Sequence, residues 1–426
     1  MSHDWWSPVE INGRATITAV MNSALIRRGR IVLVNATRHL MVPLENLGAA
    51  WLVVVFRDGA AQWGAFVGTQ IVVGLMVHVL SWGNKDWVLR RAAEEPAAMG
   101  RLWQGALWAR ARFLPVALLI VLFQGHDPVT FVWVALWILA AFLVQSFDAP
   151  ILITRRFKTA IAIEMVAFAV IVMVLMQPAD LRVSTVIRAW AVGALVRASL
   201  LLLTLIKRLG MGFGLVVEPR YFAAAAPFFL LGLSGMLQSK MDLYMANLFL
   251  DDPEVGRYQV IVNTFIMLQA GGAFLVVPFA KTLYRAKEAV VAAFARSVWL
   301  IGVGITGVGI SGAWVLLNGI YHFGLGLPWF VLGALLVLPV FGYAPRVYRL
   351  FGAGRERAVV VISLVGAGVN LVVSVMLLKT FGAIGALMGS VVSQWLTLGL
   401  ILIPWDHSSD GAVVCSGDSN SSFGSR

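Results

Sequence analysis

Arg38, His39 and Glu45 fall in one apolar run with Pro43 between them. Arg38 and Glu45 are seven residues apart, two turns of helix, so they share a face. Pro43 withdraws a backbone hydrogen bond and permits a bend. An ionised side chain at mid-bilayer costs about 2.5–3.5 kcal/mol even on lenient scales, so such residues face a cavity or a partner. The pair is therefore either a substrate or coupling-ion site, or a structural ion pair holding a bent helix. A histidine's unperturbed pKa lies near neutral pH, so His39 joins Glu45 as an ion-coupling candidate; it and His78 have the alternative role of buried hydrogen-bonding residues.

Farther along, Arg197 lies mid-run with Trp190, Gly193 and Ala194 on its side of a helix. Arg188, nine residues earlier, points the opposite way at about 100° per residue and can snorkel from the outer end. A guanidinium fork suits phosphate oxygens, so Arg197 leads Arg38 and Arg188 as an anion-binding candidate; a carboxylate partner such as Glu45 is the alternative. Ser234, Gln238 and Asp242 step by four along one face, with Lys240 turned away. Gln259 and Asn263, Asn370 and Ser374, and the set Ser390, Ser393, Gln394 and Thr397 repeat the pattern. Such stripes either line an aqueous cavity or join helices. The cavity reading makes Gln238, Asn263, Asn370, Ser374 and Gln394 substrate-binding candidates and Asp242 an ion-coupling one.

No G-x-x-x-x-G-K-[ST], H-E-x-x-H or G-x-S-x-G occurs, so nothing in the chain is built for ATP hydrolysis or these hydrolytic chemistries. The single Cys415 excludes internal disulfides and multi-cysteine metal sites. No cofactor and no enzymatic role are expected. Asp251, Asp252 and Glu254 read as a solvated turn rather than the catalytic carboxylates of a membrane glycosyltransferase.

The elements that carry these residues are membrane spans. At 426 residues, 60% hydrophobic and 13% charged, with mean hydropathy +0.85, the chain departs far from soluble composition. About twelve apolar stretches of bilayer-spanning length lie near 35–56, 63–82, 104–124, 129–150, 159–177, 184–205, 222–247, 258–280, 298–317, 326–345, 358–378 and 382–403. The net charge of +12 is parcelled between them. Arginines and lysines crowd alternate loops, and Arg57, Arg182, Arg257 and Lys379 stand one to a loop on the other side. That asymmetry is a topology signal with both termini cytoplasmic, and it excludes the single basic face of a nucleic-acid binder. Trp51, Trp63, Trp82, Trp87, Trp103, Trp329 and Trp405 are expected at the lipid interface.

The organisation that follows is an all-α integral membrane protein. An interfacial amphipathic segment, 1–30, precedes a six-helix lobe, 31–205. A basic linker, 206–221, leads to a second six-helix lobe, 222–404, and a disordered tail, 405–426, ends the chain. FRDGAAQWGAF at Phe56 to Phe66 and FLDDPEVGRY at Phe249 to Tyr258 echo each other across outer turns, which suggests an internal repeat. No cleavable signal is expected at the N-terminus.

Ala225 to Leu233 reads A-x-P-F-x-L-x-G-L, Lys240 and Asp242 follow, Val255 to Tyr258 reads V-G-x-Y, and Pro278 ends that span. GAGVN at Gly366 to Asn370 and LLKTFGAIGA at Leu377 to Ala386 form a second block; Arg57 to Phe66 and Trp87 to Arg91 agree more loosely. On these residues the chain resembles the polysaccharide flippases of the multidrug/oligosaccharidyl-lipid/polysaccharide exporter superfamily. The resemblance implies a two-lobed bundle in the bacterial inner membrane. It would turn an undecaprenyl-diphosphate-linked oligosaccharide from the cytoplasmic to the periplasmic leaflet through a cationic cavity between lobes. The implied partners are the lipid-linked oligosaccharide, membrane lipids and polysaccharide polymerase or export machinery. Ion-coupled export of drugs or small solutes, by a related or major-facilitator fold, is the alternative.

Overall fold

The computed structural model describes residues 34, 36–38, 40–178, 180–206, 220–279, 283 and 288–403. The expected amphipathic segment 1–30, most of the linker, the tail and His39 lie outside the described residues.

Twelve helices are long and apolar enough to cross a membrane, and no strand occurs among the described residues. They are α1 (Ala36–Phe56), α2 (Ala60–Ala92), α3 (Met99–Leu122), α4 (Pro128–Thr154), α5 (Phe157–Leu175), α6 (Val183–Leu205), α7 (Tyr221–Phe249), α8 (Asp252–Val276), α9 (Ala289–Ile320), α10 (Leu327–Gly352), α11 (Glu356–Phe381) and α12 (Ala383–Leu402). The shortest, α5, has 19 residues, so each reaches the ~20 that satisfy their own backbone groups across the hydrocarbon. The ends follow local rules. Asp127 caps α4 by accepting from the Val129 and Thr130 amides at 3.0 and 3.1 Å, with Pro128 in the first turn. The α2 helix breaks where Trp82 and Gly83 both take positive φ.

Within the first six helices α6 packs on α4 and α5, and α2 on α4; within the second six α11 packs on α7 and α12, and α10 on α8, α9 and α12. The α2 helix joins the two sets, lying against α8 at the acidic-turn end and against α7 at the basic-loop end. At the acidic-turn end Gly64 and Gly256 let the two backbones touch: a Cβ on Gly256 would stand 3.0 Å from the Ala60 carbonyl oxygen. There Trp63, Phe66, Trp137 and Trp190 form one buried aromatic cluster, with ring centroids 4.6–5.6 Å apart. The Tyr321 hydroxyl donates to the Leu47 carbonyl and ties the end of α9 to α1. At the basic-loop end Trp82 stacks on Phe229 at 4.2 Å, and its Nε1 donates to the Phe222 carbonyl at 3.1 Å.

This packing corrects one expectation. Trp63, Trp87 and Trp103 are 0, 4 and 3% exposed; they are internal plugs and struts rather than lipid-facing anchors. A tryptophan near a span end serves either role, and only the neighbouring helices decide which.

Candidate functional site

A cavity of about 500 Å³ opens among α1, α4, α5 and α6, with Pro43 of α1 on its wall. Arg38, Asp148, Glu164 and Arg197 line it, with Trp137 closing it toward the acidic turns. Both arginines are held. Arg38 donates to Asp148 of α4. Arg197 donates through Nη2 to Glu45 at 2.7 Å, and its Nε pairs with Glu164 of α5. Arg38 and Glu45 share a helix face but bind different partners, which corrects the alternative of a structural ion pair between them. Three carboxylates face two guanidinium groups, one negative charge in excess when all are ionised.

Arg188 is not in this cavity. It is half-buried near the acidic-turn end of α6, with Nη2 donating to Gln177 at 2.9 Å.

A second cavity, of about 360 Å³, lies between the two helix sets, lined from α1, α2, α7 and α8. Its polar groups form a relay. Gln70 donates to Asn46 at 2.9 Å, Gln259 to Gln70 at 3.0 Å, and Trp63 to Gln259 at 3.0 Å. Lys240 points into the same space and donates to Asn263 at 3.2 Å. Val42 and Pro43 line both cavities, so this turn of α1 is the wall between them.

The remaining stripes do something else. Gln238 donates to Thr397 at 2.6 Å, Asn370 to Ser390 at 3.1 Å, Ser374 to Asn370 at 2.8 Å, and Tyr343 to Gln394 at 3.0 Å. Asn370 and Ser374 are fully buried. These residues seam α7, α10, α11 and α12 together and line neither cavity described above. A Cβ on Gly389 would stand 2.1 Å from the Ser374 hydroxyl, which shows how tightly the seam is drawn. Asp242 belongs to it: the carboxylate is 1% exposed and accepts from the Tyr258 hydroxyl at 2.6 Å. With the stripe turned inward, Lys240 faces the cavity.

Asp148, Glu164, Lys240 and Arg110 were not among the sequence candidates. Glu164 and Arg110 are ionisable residues inside spans, the signal that marks Arg38 and Arg197. Arg110 is fully buried; it donates to the Ala106 carbonyl and, at 3.0 Å, to Ser146, and lies over the Phe142 ring.

No protein-family model matches the chain, and no curated protein sequence matches it either. Solved structures do. One is the lipid II flippase MurJ in an inward closed conformation, with TM-score 0.66 and 9% identity over 87% of each chain. Another is an inward-facing multidrug resistance MATE family transporter of the MOP superfamily, with TM-score 0.53 and 13% identity, covering 86% of this chain and 96% of that one. A third is the Vibrio cholerae MATE transporter VcmN in the bent form, with TM-score 0.52 and 12% identity, covering 91% and 97%. The protein is a multi-pass membrane protein. Its fold is that of the lipid II flippase MurJ and of these MATE transporters.

Proposed function

We propose that the chain is a flippase that moves an undecaprenyl-diphosphate-linked oligosaccharide from the cytoplasmic to the periplasmic leaflet by alternating access. In this reading it serves polysaccharide biosynthesis in the bacterial inner membrane, with both termini cytoplasmic and its lobes, 31–205 and 222–404, rocking about α2. The observation that carries the reading is the placement of Arg38 and Arg197 on one cavity of about 500 Å³ inside the membrane span. Two guanidinium groups suit a diphosphate, which would displace the carboxylates that now occupy them. The adjoining cavity, with Asn46, Gln70, Gln259, Asn263 and Lys240, offers donors and acceptors for sugar. The likeness in fold to a lipid II flippase supports the same reading. A polysaccharide polymerase is the natural partner downstream.

The test is reconstitution with a fluorescent undecaprenyl-diphosphate sugar, following leaflet exchange by chemical quenching. Faster exchange than in protein-free vesicles is expected. A protein that leaves this lipid in place while exporting a small cationic dye is a drug exporter instead. The carboxylate excess around Arg38 and Arg197 favours that second reading, and the fold, shared with MATE transporters, is compatible with it.

A further inference from the structure

The cavity between the two helix sets holds one positive charge and no negative one: among the described residues that line it, Lys240 alone is charged. The carboxylates that neighbour the lining in sequence turn elsewhere. Asp242 accepts from Tyr258 in the seam, and Glu45 accepts from Arg197. The Lys240 ammonium donates to Asn263 at 3.2 Å and makes no ion pair among the described residues. An ionised side chain inside a span calls for a partner, and the protein supplies none here.

The amides around it are oriented, and both ends of their chain fix the direction. The Trp63 indole only donates, so Gln259 Oε1 accepts from it at 3.0 Å. Gln259 Nε2 then donates to Gln70 Oε1 at 3.0 Å, and Gln70 Nε2 to Asn46 Oδ1 at 2.9 Å. Asn46 Nδ2 donates to the Val42 carbonyl at 3.0 Å, which only accepts. Lys240 sets Asn263 the same way, since an ammonium has no lone pair to offer. Each of these four amide oxygens is already engaged. What the bonds leave over is N–H: the second hydrogen of Asn46, Gln70 and Gln259, both of Asn263, and the rest of the Lys240 ammonium. The polar wall is therefore biased toward donating. The apolar wall, with Ile71, Leu243, Ile266 and Met267, lowers the local dielectric and strengthens any charge-assisted bond made there.

Charge and lone pairs narrow the occupant. A cationic drug meets an ammonium of like sign. A neutral sugar leaves that ammonium uncompensated inside the membrane. A diphosphate brings more charge than one ammonium balances, and its seat in the reading above is the pair of guanidinium groups beyond the Val42–Pro43 wall. An ionised carboxylate carries one negative charge and only accepts. Borne on a sugar ring, it comes with hydroxyls for the remaining amides.

We propose that Lys240 is a specificity-determining residue for an acidic sugar. The cavity lined from α1, α2, α7 and α8 takes a hexuronic acid or similar carboxylated unit of the lipid-linked glycan, with its carboxylate on the Lys240 ammonium and the Asn263 amide. This rests on the flippase reading and adds a class of glycan to it.

The test uses two lipids that differ in one group: undecaprenyl-diphosphate glucuronate and undecaprenyl-diphosphate glucose, a carboxylate against a hydroxymethyl on the same ring. Binding to the full chain in detergent is read by native mass spectrometry. Methyl glucuronide and methyl glucoside, read by thermal shift, are the lipid-free counterparts. The glucuronyl lipid should bind about tenfold tighter than the glucosyl lipid. Lys240→Met should bring the ratio near one by weakening the glucuronyl lipid alone, and Lys240→Arg should keep most of the preference. Lys240→Gln serves where Lys240→Met does not fold. Equal affinity for the two lipids, or a preference that survives loss of the charge, overturns the proposal and leaves the flippase reading standing. If neither lipid binds while methyl glucuronide alone raises the Tm, and does so only with Lys240 present, the acidic-sugar site stands and the flippase reading falls. Binding of none of the four overturns both.

Discussion

Gly64 of α2 and Asp252 at the start of α8 approach so closely that a Cβ on Gly64 would lie 1.6 Å from the Asp252 carbonyl oxygen. No side chain fits there, so two helices far apart in sequence touch backbone to backbone across the two halves of the bundle. The alternating access proposed above would require that contact to part.

Gly64→Ala should therefore force α2 and α8 apart. Overpacking of this kind costs about 1–3 kcal/mol, and thermal unfolding in detergent should show a lowered Tm. Gly74→Ala is the control: a Cβ there meets nothing within 4 Å, and its Tm should hold or rise.

Arg197→Ala removes the partner of Glu45 and Glu164 together. Breaking a buried ion pair from one side costs about 3–5 kcal/mol, because the other charge is left unpaired. Adding Glu45→Gln and Glu164→Gln should restore most of the folded yield, measured by size-exclusion chromatography. Transport should not return with it. If it does, Arg197 holds the helices and touches no substrate.

Lys240→Met keeps the length of the side chain and deletes its charge from the cavity between the halves. Affinity for an undecaprenyl-diphosphate-linked oligosaccharide, measured by native mass spectrometry, should fall about tenfold, or about 1.4 kcal/mol, through lost contacts to its sugar. Unfolding should scarcely change, since Lys240 has only the Asn263 bond at 3.2 Å to lose.

Asn370→Leu should do the reverse. It removes the Asn370 bonds to the Ser374 and Ser390 hydroxyls of the seam, at about 1–3 kcal/mol, while ligand affinity stays unchanged. Loss of affinity without loss of stability would return Asn370 to the binding site.

The cap of α4 carries a pH dependence. Hydrogen bonds from the Thr130 side chain and amide, and from the Val129 amide, hold the Asp127 carboxyl below the usual aspartate range. A depressed carboxyl stabilises the fold fully above its unfolded pKa and ceases to do so as pH falls through the folded one. Protection of the Val129 and Thr130 amides from hydrogen exchange, corrected for intrinsic rates, should drop across that acidic window. Asp127→Ala should abolish the dependence.

Much of the bundle was legible because bilayer-spanning helices are specified by length and composition, which are local. The intramembrane positions of Arg38, Glu45 and Arg197 were equally plain. Their partners were not. Arg38 meets Asp148 across 110 residues and Arg197 meets Glu45 across 152, and a pairing of that kind depends on how each helix is rotated and bent against the next. Asp242 and Lys240 make the point within one turn. Periodicity correctly set them on opposite faces of α7, yet which face meets α11 and α12 and which meets the cavity is a property of the packed bundle.

The sequence by itself determined the class of molecule, the number of spans, the sided distribution of loop charge and the ionisable residues that the membrane must accommodate. Each of these follows from transfer of short segments out of water. The tertiary structure alone decided that the arginines are met by carboxylates, that the polar stripes of α7, α11 and α12 are seams while that of α8 lines a cavity, and that Trp63 and Trp103 seal helix contacts instead of facing lipid. Those outcomes turn on contacts between helices far apart in the chain, which no local spacing encodes.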